Sequence, residues 1–169
     1  LNMPFDVFYV VLTGRFIHTD GRKYSKDDFE ETLRVMAQTD IIHLKDRQFN
    51  ELSGGEKQRV LLARTINKNT KIVLLDEPFS DTDILHQHKL IGLLKELAKD
   101  KLIIVVIHDL SLAVREFERF LFFESGRLSY DAMREEIDEE RLSGIFGVNV
   151  NFIKEGEKLF VDTRLKANS

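Results

Sequence analysis

The sequence has no cysteine and only two prolines in 169 residues. Without a thiol there is no cysteine nucleophile, no disulfide framework and no cysteine-ligated zinc, and a reducing compartment suits the chain. Long apolar runs are missing too. The longest aliphatic stretch, residues 102–107, falls far short of the roughly 18 residues that a membrane span requires. No charged-then-apolar leader opens the sequence, which places the chain in the cytosol or at a membrane periphery. A strong excess of one charge is absent as well: 25 Lys and Arg against 29 Asp and Glu leave a net −4. That disfavours a surface coating nucleic acid but permits a local phosphate site made from backbone amides. With nine glycines, 43% apolar and 32% charged residues, disorder and collagen are excluded. The class is a soluble globular chain with one core, or one core and a small satellite. The first residue is Leu1, not methionine, inside an apolar segment, and the expectation is a chain truncated at its N-terminus.

Hydrophobic spacing organises what is present. Residues 7–12 are an apolar helical stretch, followed by Gly14 and a polar loop over 19–23. A helix is expected from about Lys26, capped by Ser25 with Asp28 three positions on. Its residues Phe29, Leu33 and Met36 recur at spacings of four and three and define a burying face. Ser53 caps a second helix over 56–66, where Val60, Leu61, Ala63 and Arg64 set an apolar and a basic stripe on one rod; residues 67–70 end it. Residues 72–75 and 102–107 are unbroken aliphatic runs, expected as parallel strands covered on both faces. A helix over 84–99, with Leu90, Leu93, Leu94 and Leu97 on one side, joins them in a right-handed crossover. Residues 120–124, the turn at Ser125 and Gly126, and residues 128–130 read as a hairpin. An acidic helix is expected over 131–145, and a second hairpin over 148–153 and 158–161. No internal repeat occurs.

Three strings carry chemistry. In Leu52-Ser53-Gly54-Gly55-Glu56-Lys57-Gln58-Arg59, Ser53 and Glu56 have the spacing of a capping box. The cap does not account for two consecutive glycines, which cost roughly 1 kcal/mol each in a helix interior relative to alanine. They leave a bare helix start with outward amides at the positive dipole end, which suits a phosphate. In Ile72-Val73-Leu74-Leu75-Asp76-Glu77-Pro78, two carboxylates follow a buried strand, where ligands of parallel sheets bind. The alternative is a strand leaving the core into a polar turn. With a nucleotide present, Asp76 suits the water shell of magnesium and Glu77 suits proton acceptance from an attacking water. His108 follows the 102–107 run, either as a structural hydrogen-bonder or beside Glu77 at one sheet edge, in reach of a γ-phosphate.

The strings LSGGEKQRV, IVLLDEP, Ser80-Asp81-Thr82-Asp83 and VVIHD, in this order and spacing, resemble the ATP-binding cassette (ABC) family of transporter ATPases over about residues 1–130. The resemblance makes residues 53–57 (Ser53, Gly54, Gly55, Glu56 and Lys57) the signature motif that meets the ATP of a partner subunit. Asp76 becomes the Walker B aspartate that holds Mg2+ through water, Glu77 the catalytic glutamate, Asp83 the D-loop aspartate and His108 the switch histidine. The implied fold is α/β, a partial P-loop NTPase. A helical subdomain with the signature occupies 1–68, the second half of the parallel core sheet 69–130, and a small α+β extension 131–169. Phe5-Asp6-Val7 through Val11-Leu12-Thr13-Gly14-Arg15-Phe16-Ile17-His18, together with Ile145-Phe146-Gly147-Val148-Asn149-Val150, resemble importers of iron chelates, haem and cobalamin. Glu77-Pro78-Phe79 also occurs in zinc and manganese importers.

Asp81 and Thr82 depart from the small and aliphatic residues usual in the D-loop, and Glu56 stands where glutamine is common. His86 and His88, two apart on a helix, face different ways and do not form a metal pair. No G-x-x-x-x-G-K-S/T string occurs, nor a match to the adenine-stacking aromatic or the Q-loop glutamine. The chain alone is therefore expected to hold ATP weakly and to gain no thermal stability from millimolar Mg-ATP. The resemblance implies a head-to-tail pair of nucleotide-binding subunits on the cytoplasmic face of the membrane. Their partners are a permease and, indirectly, a substrate-binding protein, with no nucleic acid. The competing classes are a soluble ABC ATPase of DNA repair or chromosome structure, disfavoured by Gln58-Arg59 and by the absence of coiled-coil heptads, and an inactive regulatory remnant.

Overall fold

The structure is a computed structural model that describes residues 5–21, 23–80, 82–156 and 158–165. It comprises two compact units, Leu1–Val106 and Ile107–Ser169. The boundary falls inside the stretch 69–130.

In the first unit, α1 (Val7–Leu12) starts where the Asp6 carboxylate accepts from the Tyr9 amide at 2.7 Å. Its Val7, Val10, Val11 and Leu12 are all buried. A 3-10 turn over Thr13–His18 follows and presses on α3 (Gly54–Asn67). At Gly14 an added Cβ would lie 2.4 Å from the Arg64 carbonyl oxygen, so the approach of the two segments requires glycine there. The helix expected from Lys26 is α2 (Lys26–Gln38), with the full Ser25–Asp28 capping box. Val35 and Met36 of α2 close a core with Ile41, Leu44, Phe49, Leu52 and the α3 residues Val60, Ala63 and Ile66.

Of the face that apolar spacing selects in α2, Met36 is buried and the other two residues are not. Phe29 and Leu33 remain 42% and 40% exposed. Phe29 stacks instead on Phe8 at 5.8 Å, with Tyr24 edge-on at 6.5 Å. The buried stripe runs through Asp28, Thr32, Val35 and Met36, because its polar members bring their own partners. The Thr32 hydroxyl donates to the Asp28 carbonyl at 2.6 Å. The amide of buried Asn67 donates to Thr32 Oγ1 at 2.9 Å and to the Val11 carbonyl at 3.0 Å. Thr32 and the Asn67 side-chain nitrogen are satisfied in this way and so are tolerated inside a core, while Asn67 Oδ1 is buried without a partner among the described residues.

Asp28 is the electrostatic centre of this seam. Arg15 Nε donates to it at 2.8 Å, and the Ser25 amide and hydroxyl donate at 2.9 and 2.8 Å. Burial favours the neutral acid, but the bonds from Ser25 and Arg15 outweigh it and hold the carboxyl down to about 2. The folded pKa lies below the unfolded one, so this stabilisation is complete above the ordinary carboxylate range and is lost as pH falls through the folded value. Asp28→Asn is expected to lower the melting temperature at neutral pH and to flatten its fall between about pH 4 and pH 2. A melting-temperature profile against pH that matches the parent would contradict this.

The strands β1 (Ile72–Asp76) and β2 (Leu102–Val106) pair in parallel, with Ile72 opposite Leu102 and Asp76 opposite Val106. The helix α4 (Ile84–Leu97) joins them. Leu90 and Leu94 of α4 cover Val73 and Leu75, with Ile103, Val105, Phe79 and Leu62 around them. Among the described residues only one of the two expected faces is covered. Leu74 is 67% exposed, and Ile72, Leu102, Ile104 and Val106 are exposed with it. The described elements supply α4 for one side of the pair, and successive strand residues point to opposite sides.

In the second unit, α5 (Leu110–Glu116) buries Leu112 and Val114. The expected hairpin is β3 (Arg119–Glu124) with β4 (Arg127–Met133). Ser125 and Gly126 at φ 49° and 75° have the left-handed pair that a tight two-residue hairpin demands. The acidic helix expected over 131–145 forms as an α-helix only from Glu139. Residues 131–133 extend β4, where Asp131 takes two bonds from Arg119 across the ladder at 3.0 and 2.8 Å. A 3-10 turn over Arg134–Glu136 follows. The helix itself is the short α6 (Glu139–Phe146), capped by Asp138 and stopped by Gly147 at φ 69°. Cross-strand pairing overrides the helical composition. The last hairpin is β5 (Asn149–Glu155) with β6 (Lys158–Arg164); Glu157 lies outside the described residues. Tyr130, Ala132, Leu142 and Val150 form this unit's core.

Candidate functional site

The signature string folds as its spacing dictates. Ser53 takes an extended backbone as N-cap, and α3 starts at Gly54. Ser53 Oγ and its amide each donate to Glu56 Oε2 at 2.8 Å, and Ser53 Oγ also accepts from the Glu56 amide at 3.4 Å. Those amide and hydroxyl bonds from Ser53 lower the Glu56 carboxyl below its ordinary value against a smaller cost of burial. The capping reading is correct and leaves the ligand reading open, because Ser53 and Gly54 are exposed. A Cβ at Gly54 would meet nothing within 4 Å. The glycine is therefore not needed for packing within the described residues, and the helix start is clear for an anion.

Asp76 ends β1, and Glu77 follows it into the turn; both are exposed. Glu77 sits at φ 46°, the left-handed region that a non-glycine residue enters at a cost, and such strain gathers at functional turns. Its backbone is held on both sides. The Glu77 amide donates to the Val106 carbonyl at 3.1 Å. Its own carbonyl accepts from Gln58 Nε2 at 3.1 Å, from the Ser80 hydroxyl at 3.0 Å and from the Ser80 amide at 3.2 Å. The Ser80 hydroxyl also lies 3.1 Å from Glu77 Oε2. The carboxylate thus leaves a pinned turn at the carboxyl end of a parallel strand, the place where proton transfer to a ligand above the sheet is possible.

Among the described residues no group of three or more His, Cys, Asp or Glu could hold a metal by itself. Magnesium does not need one. It keeps several waters and binds through one or two carboxylates plus substrate phosphates, and exposed Asp76 provides a hard oxygen donor of that kind.

Asp83 caps α4, accepting from the His86 amide at 3.0 Å and lying 2.6 Å from His86 Nδ1. These two bonds lower its carboxyl. The second nitrogen of His86 lies 3.5 Å from Asp40, whose carboxylate also takes Lys89 Nζ at 2.6 Å. His88 is exposed on another side of the helix, so the two histidines do face apart. Asp81 lies outside the described residues. His108 belongs to the second unit, in the segment between β2 and Asp109, the N-cap of α5.

Sequence reasoning missed two participants. Gln58 reaches Glu77 across a separation of 19 residues, and nothing in a helical wheel signals such a reach. Asp40 joins His86 and Lys89 from the turn after α2, and its φ of 58° is equally invisible in composition.

The family model described as ABC transporter matches residues 9–80. A hemin import ATP-binding protein of Aliivibrio fischeri is 42% identical over 124 residues, covering 70% of this chain and 48% of that protein. A petrobactin import ATP-binding protein of Bacillus anthracis is 35% identical over 151 residues, covering 87% and 56%. The chain thus spans about half the length of these curated relatives. Among solved structures, an inward-facing ABC transporter assigned to the metal-chelate type superposes with a TM-score of 0.81 at 25% identity, covering 96% of this chain and 68% of that one. An ATP-binding cassette in a dimeric post-hydrolysis state with ADP and phosphate gives 0.70 at 25% identity, covering 78% and 58%.

Proposed function

Because the chain belongs to the ATP-binding cassette family of transporter ATPases, we propose that it supplies the signature face and the hydrolytic carboxylate of an importer's ATPase. The observation that carries the proposal is the pinned turn at Glu77, which presents a carboxylate beside Asp76 at the end of β1. In this reading Glu77 orients the attacking water and accepts its proton. Asp76 holds the water shell of Mg2+, which neutralises charge on the phosphates when bound. Asp83 belongs to the D-loop, and His108, by the family resemblance, donates a hydrogen bond to the terminal phosphate. Ser53, Gly54, Gly55, Glu56 and Lys57 face the ATP held by a second subunit in a head-to-tail pair.

The pair works at the cytoplasmic face of the membrane on a permease, served indirectly by a substrate-binding protein. Among the described residues no helix is long and apolar enough to cross a membrane. The hemin and petrobactin importers among the relatives favour an iron chelate, haem or cobalamin as cargo over zinc or manganese. The chain by itself, with no G-x-x-x-x-G-K-S/T string, holds ATP weakly. The test is affinity purification from solubilised membranes and from soluble extract in parallel. Recovery of a stoichiometric permease supports the reading; recovery with DNA and without a membrane protein overturns it in favour of a repair or chromosome ATPase.

A further inference from the structure

The helix that begins at the signature does not end its work there. Gln58 lies five residues past Ser53, about 7 Å along the helix axis. It is partly buried, and its Nε2 donates to the Glu77 carbonyl at 3.1 Å. That carbonyl closes the Glu77 turn, since it also accepts from the Ser80 hydroxyl at 3.0 Å and from the Ser80 amide at 3.2 Å. The residue thus gripped has left-handed φ of 46° and an amide tied to β2 through the Val106 carbonyl.

We propose that Gln58 is a positioning residue for Glu77, through which the signature helix of one chain sets the posture of the hydrolytic carboxylate of that same chain. The inference rests on the reading of Glu77 as the proton acceptor. In a head-to-tail pair the Ser53 turn meets one nucleotide while Glu77 serves the other, so a single helix start touches both events. Gln58 makes no contact with nucleotide in this scheme. It acts by holding the carbonyl that fixes the direction in which Glu77 leaves β1. A ligand seated at Ser53 and Gly54 stiffens the first turn of α3 and tightens the Gln58 bond. An empty signature turn leaves the Glu77 turn looser. Hydrolysis at one site is then favoured by occupation of the other, without any new contact between the two nucleotides.

The experiment uses the assembled ATP-hydrolysing protein with Gln58→Met, which keeps length and removes the donor, and Gln58→Lys, which restores a donor. Loss of one neutral hydrogen bond corresponds to a fall of roughly three- to tenfold in kcat. That fall is expected for Q58M with KM for ATP unchanged and with the Hill coefficient reduced towards one, while Q58K recovers most of the rate. Amide exchange is expected to quicken at Glu77 and Ser80 in Q58M and to stay as in the parent across the rest of β1 and α3. Parental kcat in Q58M, or equal loss in both variants, overturns the inference. Glu77→Gln run alongside separates the layers: if E77Q is inactive and Q58M is parental, this inference alone fails. If E77Q still hydrolyses ATP, the reading of Glu77 fails and this inference falls with it.

Discussion

Glu77→Gln is expected to cut steady-state ATP hydrolysis by the assembled protein about 10² to 10⁴-fold, the usual contribution of a positioned general base. The substitution is nearly silent for folding. Glu77 is exposed, its turn is held by backbone groups tied to Val106, Gln58 and Ser80, and the glutamine oxygen can still accept from the Ser80 hydroxyl, now 3.1 Å from Oε2. What disappears is the capacity to take a proton from water. Nucleotide binding should survive, since no contact to phosphate is assigned to this side chain, so kcat falls while affinity for ATP is kept. Paired measurements of kcat and the melting temperature check this. Hydrolysis at the parental rate in a normally folded E77Q protein would remove Glu77 from the mechanism.

The parts of the fold that were legible in the sequence are those dictated locally. Ser25 with Asp28 and Ser53 with Glu56 announce two helix starts, and both capping boxes form. Ser125 and Gly126 announce a hairpin and adopt the required left-handed pair. The carboxylates at the end of β1 lie where a strand followed by Asp76 and Glu77 must put them.

What was not legible depends on partners distant in sequence. Apolar spacing in α2 selects Phe29, Leu33 and Met36; Met36 is buried, whereas in place of the other two the core took Asp28 and Thr32 because Arg15, Ser25 and Asn67 satisfy them. The acidic stretch after Tyr130 has a helical composition, but residues 131–133 pair with β3, where Asp131 lies opposite Leu121 and takes two bonds from Arg119 on the diagonal. The aliphatic runs of β1 and β2 signal burial on both sides, yet side chains such as Leu74 remain exposed. Gln58 was visible as part of a motif but not as a ligand of the Glu77 carbonyl, a contact made only when α3 and β1 are brought together.

The central claim is that the bare turn at Ser53 and Gly54 serves a phosphate and not the helix alone. Gly54→Asp sets the two explanations against each other with opposite signs. For the helix, an acid in the first turn is favourable by about 0.3 to 1 kcal/mol. A Cβ at Gly54 meets no atom within 4 Å, and the Ser53–Glu56 cap is untouched. For an anionic ligand, the same carboxylate adds a like charge at the mouth of the site, which at about 4 Å costs on the order of 4 kcal/mol near a protein surface. That corresponds to a loss of roughly a thousandfold.

The decisive measurement is therefore ATPase activity of the assembled Gly54→Asp protein beside its melting curve. The account predicts a melting temperature equal to or slightly above the parent's, with hydrolysis and ATP-driven pairing of subunits abolished. A protein that melts like the parent and still hydrolyses ATP like the parent would show that the turn serves the helix alone.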